Sequence, residues 1–181
     1  MNKKNIIIIC LLAVGILLFC TIRFVILPAN ERKQMQFAEN QTDALTHDIA
    51  AVYEFKSAYV GDAVNSSHLF YALPLNNVSM TFEIDPDTCG LTVNYLETVD
   101  AIGDEKVHRD LVYNAAAAMA VIDNLSSITY QFTGDTYTFD RQQLEKIFGA
   151  PLSALLEEDV WSEKVQVRLN DADFVGQFYS E

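Results

Sequence analysis

The sequence predicts an α+β fold: an N-terminal transmembrane helix followed by one domain in which a small, mainly antiparallel sheet packs against helices. Three observations predict it. An uncharged apolar run opens the chain, short stretches beyond residue 77 alternate apolar and polar residues, and longer stretches around them repeat apolar residues at helical spacing. With 181 residues, 50% of them hydrophobic and 20% charged, plus seven Gly and four Pro, there is room for one folded unit and no sign of wholesale disorder or a fibrous repeat. The formal charge of −13, from 12 basic and 25 acidic residues, sets nucleic acid aside as a partner, because phosphate binding draws on clustered Lys and Arg.

The leading element is Ile6 to Ile22, an uncharged run interrupted only by Gly15 and Thr21. At 1.5 Å per residue it reaches roughly 26 Å, and Phe24 to Leu27 lengthen it toward the ~30 Å of a hydrocarbon core. Arg23 sits near the end of the run, where its stem snorkels to the headgroups. The expected lipid-contacting span is therefore residues 6–27, within an anchor of residues 1–28. Leu27-Pro28-Ala29 has no small residue where signal cleavage requires one, so the segment is expected to stay attached. Phe19 before Cys20 and Ile9 before Cys10 are too bulky for a lipidation site.

Positive charges on the two sides of the run balance: Lys3, Lys4 and the terminal amine precede it, while Arg23, Arg32 and Lys33 end or follow it. The short basic leader and the composition beyond Gln34, seven basic against 24 acidic residues, favour an N-terminus inside and a domain outside. The expected location is a single-pass position in the cell membrane with an extracytoplasmic domain. Cys89 is the one cysteine past the run, so the domain has no internal disulfide and must be held by its core, as befits a bacterial envelope protein. The Asn-x-Ser/Thr triplets at Asn40, Asn65, Asn77 and Asn124 then read as turn chemistry, not glycan sites.

Residues 29–46 are polar and read as a stalk that prolongs the membrane helix for some turns, with the domain over 47–181. Thr46 is placed to cap a helix that buries Ile49, Val52 and Tyr53. Asp62 caps a helix running to Tyr71 before Leu73-Pro74. Val78 to Ile84 and Leu91 to Tyr95 alternate around Asp85-Pro86-Asp87-Thr88-Cys89-Gly90 and form a hairpin. Asp104 caps a long helix from Lys106 to Ile122, whose run Ala115 to Ala118 permits close approach to a sheet. Ile128, Tyr130 and Phe132 make a third strand, Tyr137 and Phe139 extend the sheet, and Asp140 caps a helix closed by Gly149. A short helix is expected around Leu152 to Glu158. Past it, Val165, Val167 and Leu169 fit a strand while Trp161, Val165 and Leu169 fit a helix, and both readings stand.

Three stretches carry a resemblance: Lys56-Ser57-Ala58-Tyr59-Val60-Gly61-Asp62, Cys89-Gly90-Leu91-Thr92-Val93-Asn94-Tyr95, and Ala118 to Tyr130 with Val121-Ile122-Asp123-Asn124-Leu125 and Ile128-Thr129-Tyr130. Over residues 49–148 the chain resembles a bacterial family of membrane-anchored domains of unknown function, the DUF4825 type, also found appended to regulatory membrane metallopeptidases. The resemblance implies an extracytoplasmic α+β domain of a Gram-positive envelope and carries no activity, ligand or catalytic residue with it. Where the family commonly reads Pro-Tyr-Gly, this chain has Thr88-Cys89-Gly90. The peptidase half is missing, for there is no His-Glu-x-x-His among the three His.

No constellation commits the chain to a reaction, so no catalytic residue, metal or cofactor is assigned. The Asp85 turn fails as a calcium loop at Cys89 and Leu96, and no Gly-x-Ser-x-Gly or Ser-x-x-Lys occurs. His68 beside Ser66 and Ser67 reads as an ordinary helix residue. Cys89 has Asp85 and Asp87 beside it rather than a cation and reads as a spectator thiol. The acids Glu157, Glu158, Asp159, Asp104 and Glu105 read as solvated faces. Lys56, Tyr59 and Asp62 remain as the candidate ligand-binding loop, offering a cation, a phenol and a carboxylate. The expected function is a non-catalytic binding or sensing module for an envelope ligand or protein partner. The alternatives are a hydrolase using paired carboxylates and a structural self-association module.

Overall fold

The computed structural model describes residues 3–179, with the side chains of residues 5–10 left aside. Met1, Asn2, Ser180 and Glu181, and the side chain of Cys10, to which parts of the anchor and tail readings refer, lie outside the described residues. The chain divides into two compact units, residues 1–39 and residues 40–181.

In the first unit, α1 (Lys3–Thr21) and α2 (Leu27–Asn40) are joined through Ile22–Ile26, where the helix widens and the Leu27 N–H donates to the Ile22 carbonyl, five residues back. The cause is local. Pro28 has no N–H to give the carbonyl of Phe24 and its ring crowds that turn, and one wider turn lets the helix continue through the proline instead of breaking. Thr21 Oγ1 adds a bond to the Leu17 carbonyl at 2.8 Å. From Leu11 to Asn40 the helix is long and apolar enough to cross a membrane, and its large described apolar side chains, Phe19 and Phe24 among them, are exposed.

The second unit is the α+β domain. It begins at Asn40, earlier than polarity alone places it, because charged residues there are paired rather than solvated. Arg109 Nη2 donates to Asp43 Oδ2 at 3.0 Å, Lys106 reaches the Thr42 carbonyl at 2.6 Å, and Ala44 is fully buried. Thr46 is not the cap of the next helical turn: its hydroxyl donates to the Asn40 carbonyl, and Asp48 accepts from the Ala50 N–H at the head of the tight turn Ile49–Phe55. Asp62 caps α3 (Ala63–Ala72) as expected.

The sheet has four strands in the order β1 (Met80–Asp85), β2 (Gly90–Tyr95), β3 (Ser127–Gln131), β4 (Thr136–Asp140). β1–β2 and β3–β4 are antiparallel, and the central β2–β3 pair is parallel, with Leu91 opposite Ile128 and Val93 opposite Tyr130. A parallel neighbour requires a crossover, supplied by α4 (Val99–Ile102) and α5 (Asp104–Val121). Asp104 opens α5 within its first turn, while Gly103, at φ 109°, holds the capping position that glycine tolerates.

Every residue of α5 from Asp110 to Val121 is buried. The helix shares one buried core with Leu91, Val93, Ile128 and Tyr130 of the inner sheet face and with Leu152, Trp161, Val165 and Leu169 of the tail, and Tyr113 meets Trp161 ring edge to face. That arrangement settles the tail. Trp161, Val165 and Leu169, four residues apart, are all buried and Val167 is exposed, so the helical reading holds and the alternating one does not. The tail comprises Leu152–Leu155, α7 (Glu158–Trp161) and, beyond two further turns, α8 (Ala172–Gly176). Between sheet and tail, α6 (Arg141–Phe148) starts at Asp140, which accepts from Gln142 and Gln143 N–H, and ends at Gly149 in the left-handed conformation, φ 75°. The outer sheet face is polar: Thr129 and Thr138 hydroxyls lie 3.1 Å apart across the strands and Asn94 donates to Glu83.

Candidate functional site

The three sequence stretches singled out above meet at one corner, beyond the C-terminal end of α5. Ser57 pairs with that end as an isolated bridge, its N–H donating to the Val121 carbonyl and its carbonyl accepting from the Asp123 N–H, both at 2.9 Å. Asn124 is the hub. Its Oδ1 accepts from the Val60 N–H at 2.7 Å and its Nδ2 donates to Cys89 Sγ at 3.4 Å. Ser126 completes the join, its N–H donating to the Cys89 carbonyl and its hydroxyl to the Thr88 carbonyl at 2.6 Å. Arg141 closes it from the other side through Nε to the Leu125 carbonyl (2.9 Å) and Nη2 to the Ile122 carbonyl (2.8 Å).

Backbone geometry explains two residues of this corner. Cys89 adopts φ 52°, a left-handed conformation rare outside Gly, Asn and Asp. A Cβ on Gly90 would come within 3.0 Å of Thr88 Oγ1 and 3.2 Å of Ser127 Oγ, tight contacts that glycine avoids and that a larger residue would have to push aside. The Asp85 carboxylate is occupied inside the turn, accepting from the Thr88 hydroxyl at 2.8 Å and the Asp87 N–H at 3.0 Å, and these bonds, the Thr88 one foremost, hold it below the ordinary carboxyl range. Among the described residues no group of three or more His, Cys, Asp or Glu is placed to hold a metal ion.

Of the three residues read as a binding loop, Asp62 is the cap of α3, accepting from the Asn65 N–H at 3.1 Å. Tyr59 projects outward, 70% exposed, and its backbone N–H donates to Ser57 Oγ. Lys56 borders a cleft of about 590 Å³ that neither Tyr59 nor Asp62 lines. The first wall of that cleft is the turn bearing Tyr53 and Lys56, and the second is Leu156 with Glu157, Glu158 and Asp159. Tyr53 spans the two by donating its hydroxyl to the Leu156 carbonyl. Partial burial, reinforced by Glu158, Asp48 and Glu157, pushes that hydroxyl above its ordinary pKa.

Lys56 forms no ion pair among the described residues, and neither do Glu157, Glu158 and Asp159. One free cation thus borders the same cleft as three free carboxylates. Sequence inspection singles out Lys56 and, separately, the acidic triplet, but not their meeting, because they come from opposite ends of the domain. Tyr53, read as a core residue, is 39% exposed and forms the cleft wall; its place at the exposed end of an i, i+3, i+4 pattern gives little warning of that.

The domain also holds a carboxyl with a raised pKa. Burial pushes Asp110 up to about 6 against the pull of Lys106, and its partners are Lys106 and the Ala44 N–H rather than either wall of the cleft.

Searches of curated proteins and of solved structures return no match. The model of one family, Domain of unknown function (DUF4825), matches residues 52–142, half of the chain. That span opens in the turn bearing Tyr53 and Lys56, takes in the whole sheet and α5, and ends just past the Asp140 cap, so all three converging stretches fall inside it. The chain belongs to the DUF4825 family of domains of unknown function.

Proposed function

We propose that the protein is a membrane-tethered, non-catalytic binding module whose domain faces outward in a bacterial envelope and takes short zwitterionic ligands in the Tyr53–Lys56 cleft. Support for the tether is the exposed apolar run at the head of the N-terminal helix, whose large side chains, Phe19 and Phe24 among them, are shielded from water by entering lipid. Support for the outward side is the acidic composition beyond residue 34 together with the short basic leader.

The observation that carries the binding role is the set of unpaired opposite charges bordering one cleft, Lys56 with Glu157, Glu158 and Asp159. Charges of opposite sign that flank a cleft without pairing to each other are free to pair with a ligand that presents both, such as a short peptide with a free amine and carboxylate. Tyr53 adds a flat apolar surface. Within the loop read from sequence, Lys56 contacts the ligand, Asp62 fixes the loop's exit into α3, and exposed Tyr59 lies outside the cleft, free to meet a larger partner.

Trp161, the one tryptophan of the chain, ends the short helix whose first turn carries Glu158 and Asp159, and so reports on the cleft. Titrating the full chain in detergent with Lys-Ala-Ala should shift its fluorescence saturably. Lys56→Gln and the double change Glu157→Gln, Glu158→Gln should each weaken binding by about ten-fold, as expected for losing one charge-assisted contact. Absence of a saturable shift, or equal affinity in both variants, would overturn the reading.

A further inference from the structure

β1 stands at one edge of the sheet, and no strand among the described residues pairs with its far side. The register fixes which backbone groups lie there. The Leu96 N–H donates to the carbonyl of Ser79, the next residue pair along the β1–β2 ladder. In the alternation of an antiparallel ladder, Thr81, Glu83 and Asp85 therefore turn their N–H and C=O groups toward β2, while Met80, Phe82 and Ile84 turn theirs outward. Such an outward row of donors and acceptors is a template for one more strand.

The two faces of this edge differ. On the inner face Phe82 and Ile84 are only half-buried, although their cross-strand neighbours Val93 and Leu91 are covered. Tyr71, 52% exposed at the end of α3, holds its ring edge to face with that of Phe82 at 5.7 Å and adds to the apolar ledge. On the outer face Thr81, Glu83 and Asp85 are exposed, and neither acid has an ion pair among the described residues. Glu83 accepts only a 3.3 Å bond from the Asn94 amide. The opposite edge is built otherwise, for Tyr179 sets its ring against Tyr137 and Phe139 of β4.

We propose that the β1 edge takes an extended peptide alternating apolar and basic residues, added antiparallel as a further strand. Its backbone exchanges hydrogen bonds with Phe82 and Ile84, its apolar residues lie beside those two side chains and Tyr71, and the basic residue between them meets Glu83. Charge decides between this partner and a second copy of the chain. In the register that sets Phe82 of one copy opposite Ile84 of another, Glu83 stands opposite Glu83, and like charges placed so oppose pairing. The edge shares no residue with the Tyr53–Lys56 cleft.

Calorimetry on the full chain in detergent tests it, with acetyl-Lys-Val-Lys-Val-Lys-amide as the probe, whose blocked ends remove the free amine and carboxylate offered to the cleft. The probe should bind saturably. Acetyl-Lys-Lys-Lys-Val-Val-amide, of equal charge but without the alternation, should bind at least about ten-fold more weakly, and so should the probe N-methylated at both valines, which lacks the two N–H donors facing β1. Glu83→Lys, a change at an exposed position, should weaken the probe by a similar factor and leave the melting temperature unchanged. The double change Glu157→Gln, Glu158→Gln should leave probe binding unaltered, which separates this edge from the cleft. No saturable binding, equal binding of the rearranged or N-methylated peptide, or wild-type affinity in Glu83→Lys would overturn the proposal. Loss of binding in the Glu157, Glu158 variant would overturn it by placing the peptide in the cleft. A dimer in sedimentation that the probe dissociates would overturn it by making a second copy the occupant.

Discussion

Asp110, on the long central helix, accepts a hydrogen bond from the backbone N–H of Ala44 at 2.8 Å and so ties the entry of the domain to its core. The carboxylate is fully buried and also pairs with Lys106. Removing it strands a buried N–H and leaves the Lys106 ammonium with only the Thr42 carbonyl and the more distant Asp43, so Asp110→Ala should destabilise the domain by about 2–4 kcal/mol. Urea denaturation followed by circular dichroism measures the loss; a cost below about 1 kcal/mol would mean that the tie is unimportant.

The same carboxyl gives a signed pH dependence. Burial raises Asp110 from 3.8 to about 6 in the folded state, so its favourable contribution is present below 3.8 and is lost as pH rises through 6. Asp110→Asn does not titrate. The stability of the wild type relative to Asp110→Asn should therefore grow as pH falls from 7 to 4, read from paired melting curves, and a difference that is flat or shrinks toward acid would contradict the assignment.

His47 acts in the opposite sense. Its Nδ1 lies 2.8 Å from the Tyr113 hydroxyl and its Nε2 2.7 Å from the Ala72 carbonyl, an arrangement that the neutral ring fulfils by accepting at Nδ1 and donating at Nε2. Burial holds its pKa below 6.5, so its contribution is present above 6.5 and is lost as pH falls through the lowered value. His47→Phe strands both partners and should cost about 2–3 kcal/mol at pH 7.5, with a smaller penalty at pH 5 because the wild type has by then lost part of the histidine's contribution. An equal penalty at both pH values would show that the histidine does not titrate in this range.

Asn124 marks where local signals stop being sufficient. Asp62, Asp140 and Gly149 announce themselves in sequence because a cap or a left-handed stop acts within three or four residues of its own position. The hairpin and the long apolar stripe of α5 are legible for the same reason. Asn124 reads locally as the stop of α5, yet its side chain joins Val60 to Cys89, and only the fold brings those two together. Asp43 is likewise unreadable: an acid in a polar run looks solvated until Lys106 and Arg109 are placed beside it. Burial opposes its charge, but the Leu45 N–H, Lys106 and Arg109 together hold its pKa low. The tail is ambiguous for a different reason, since Val165 and Leu169 satisfy a period of two and a period of four alike, and only contact with α5 decides. Asn124→Ala should therefore cost about 1–3 kcal/mol, while Asn124→Asp, which keeps the acceptor for the Val60 N–H, should cost less. Equal losses would place the role of Asn124 in the turn itself.

The sidedness of the domain is open to a direct chemical measurement. Tyr59 is 70% exposed, its side chain caps nothing, and it lies apart from the Tyr53–Lys56 cleft, so Tyr59→Cys places a thiol on the surface without disturbing the corner beside it. The native thiol of the domain suits the purpose less well. Cys89 is half-buried, accepts from Asn124 and holds a left-handed turn, all of which slow its reaction. If the acidic domain faces outward, a membrane-impermeant maleimide added to intact cells should label Tyr59→Cys to near completion while the parental chain stays close to background. Lysis before labelling should then add little. If the domain faces the cytoplasm, labelling should appear only after lysis. That outcome would leave the Tyr53–Lys56 cleft and the fold intact but remove envelope ligands as its occupants.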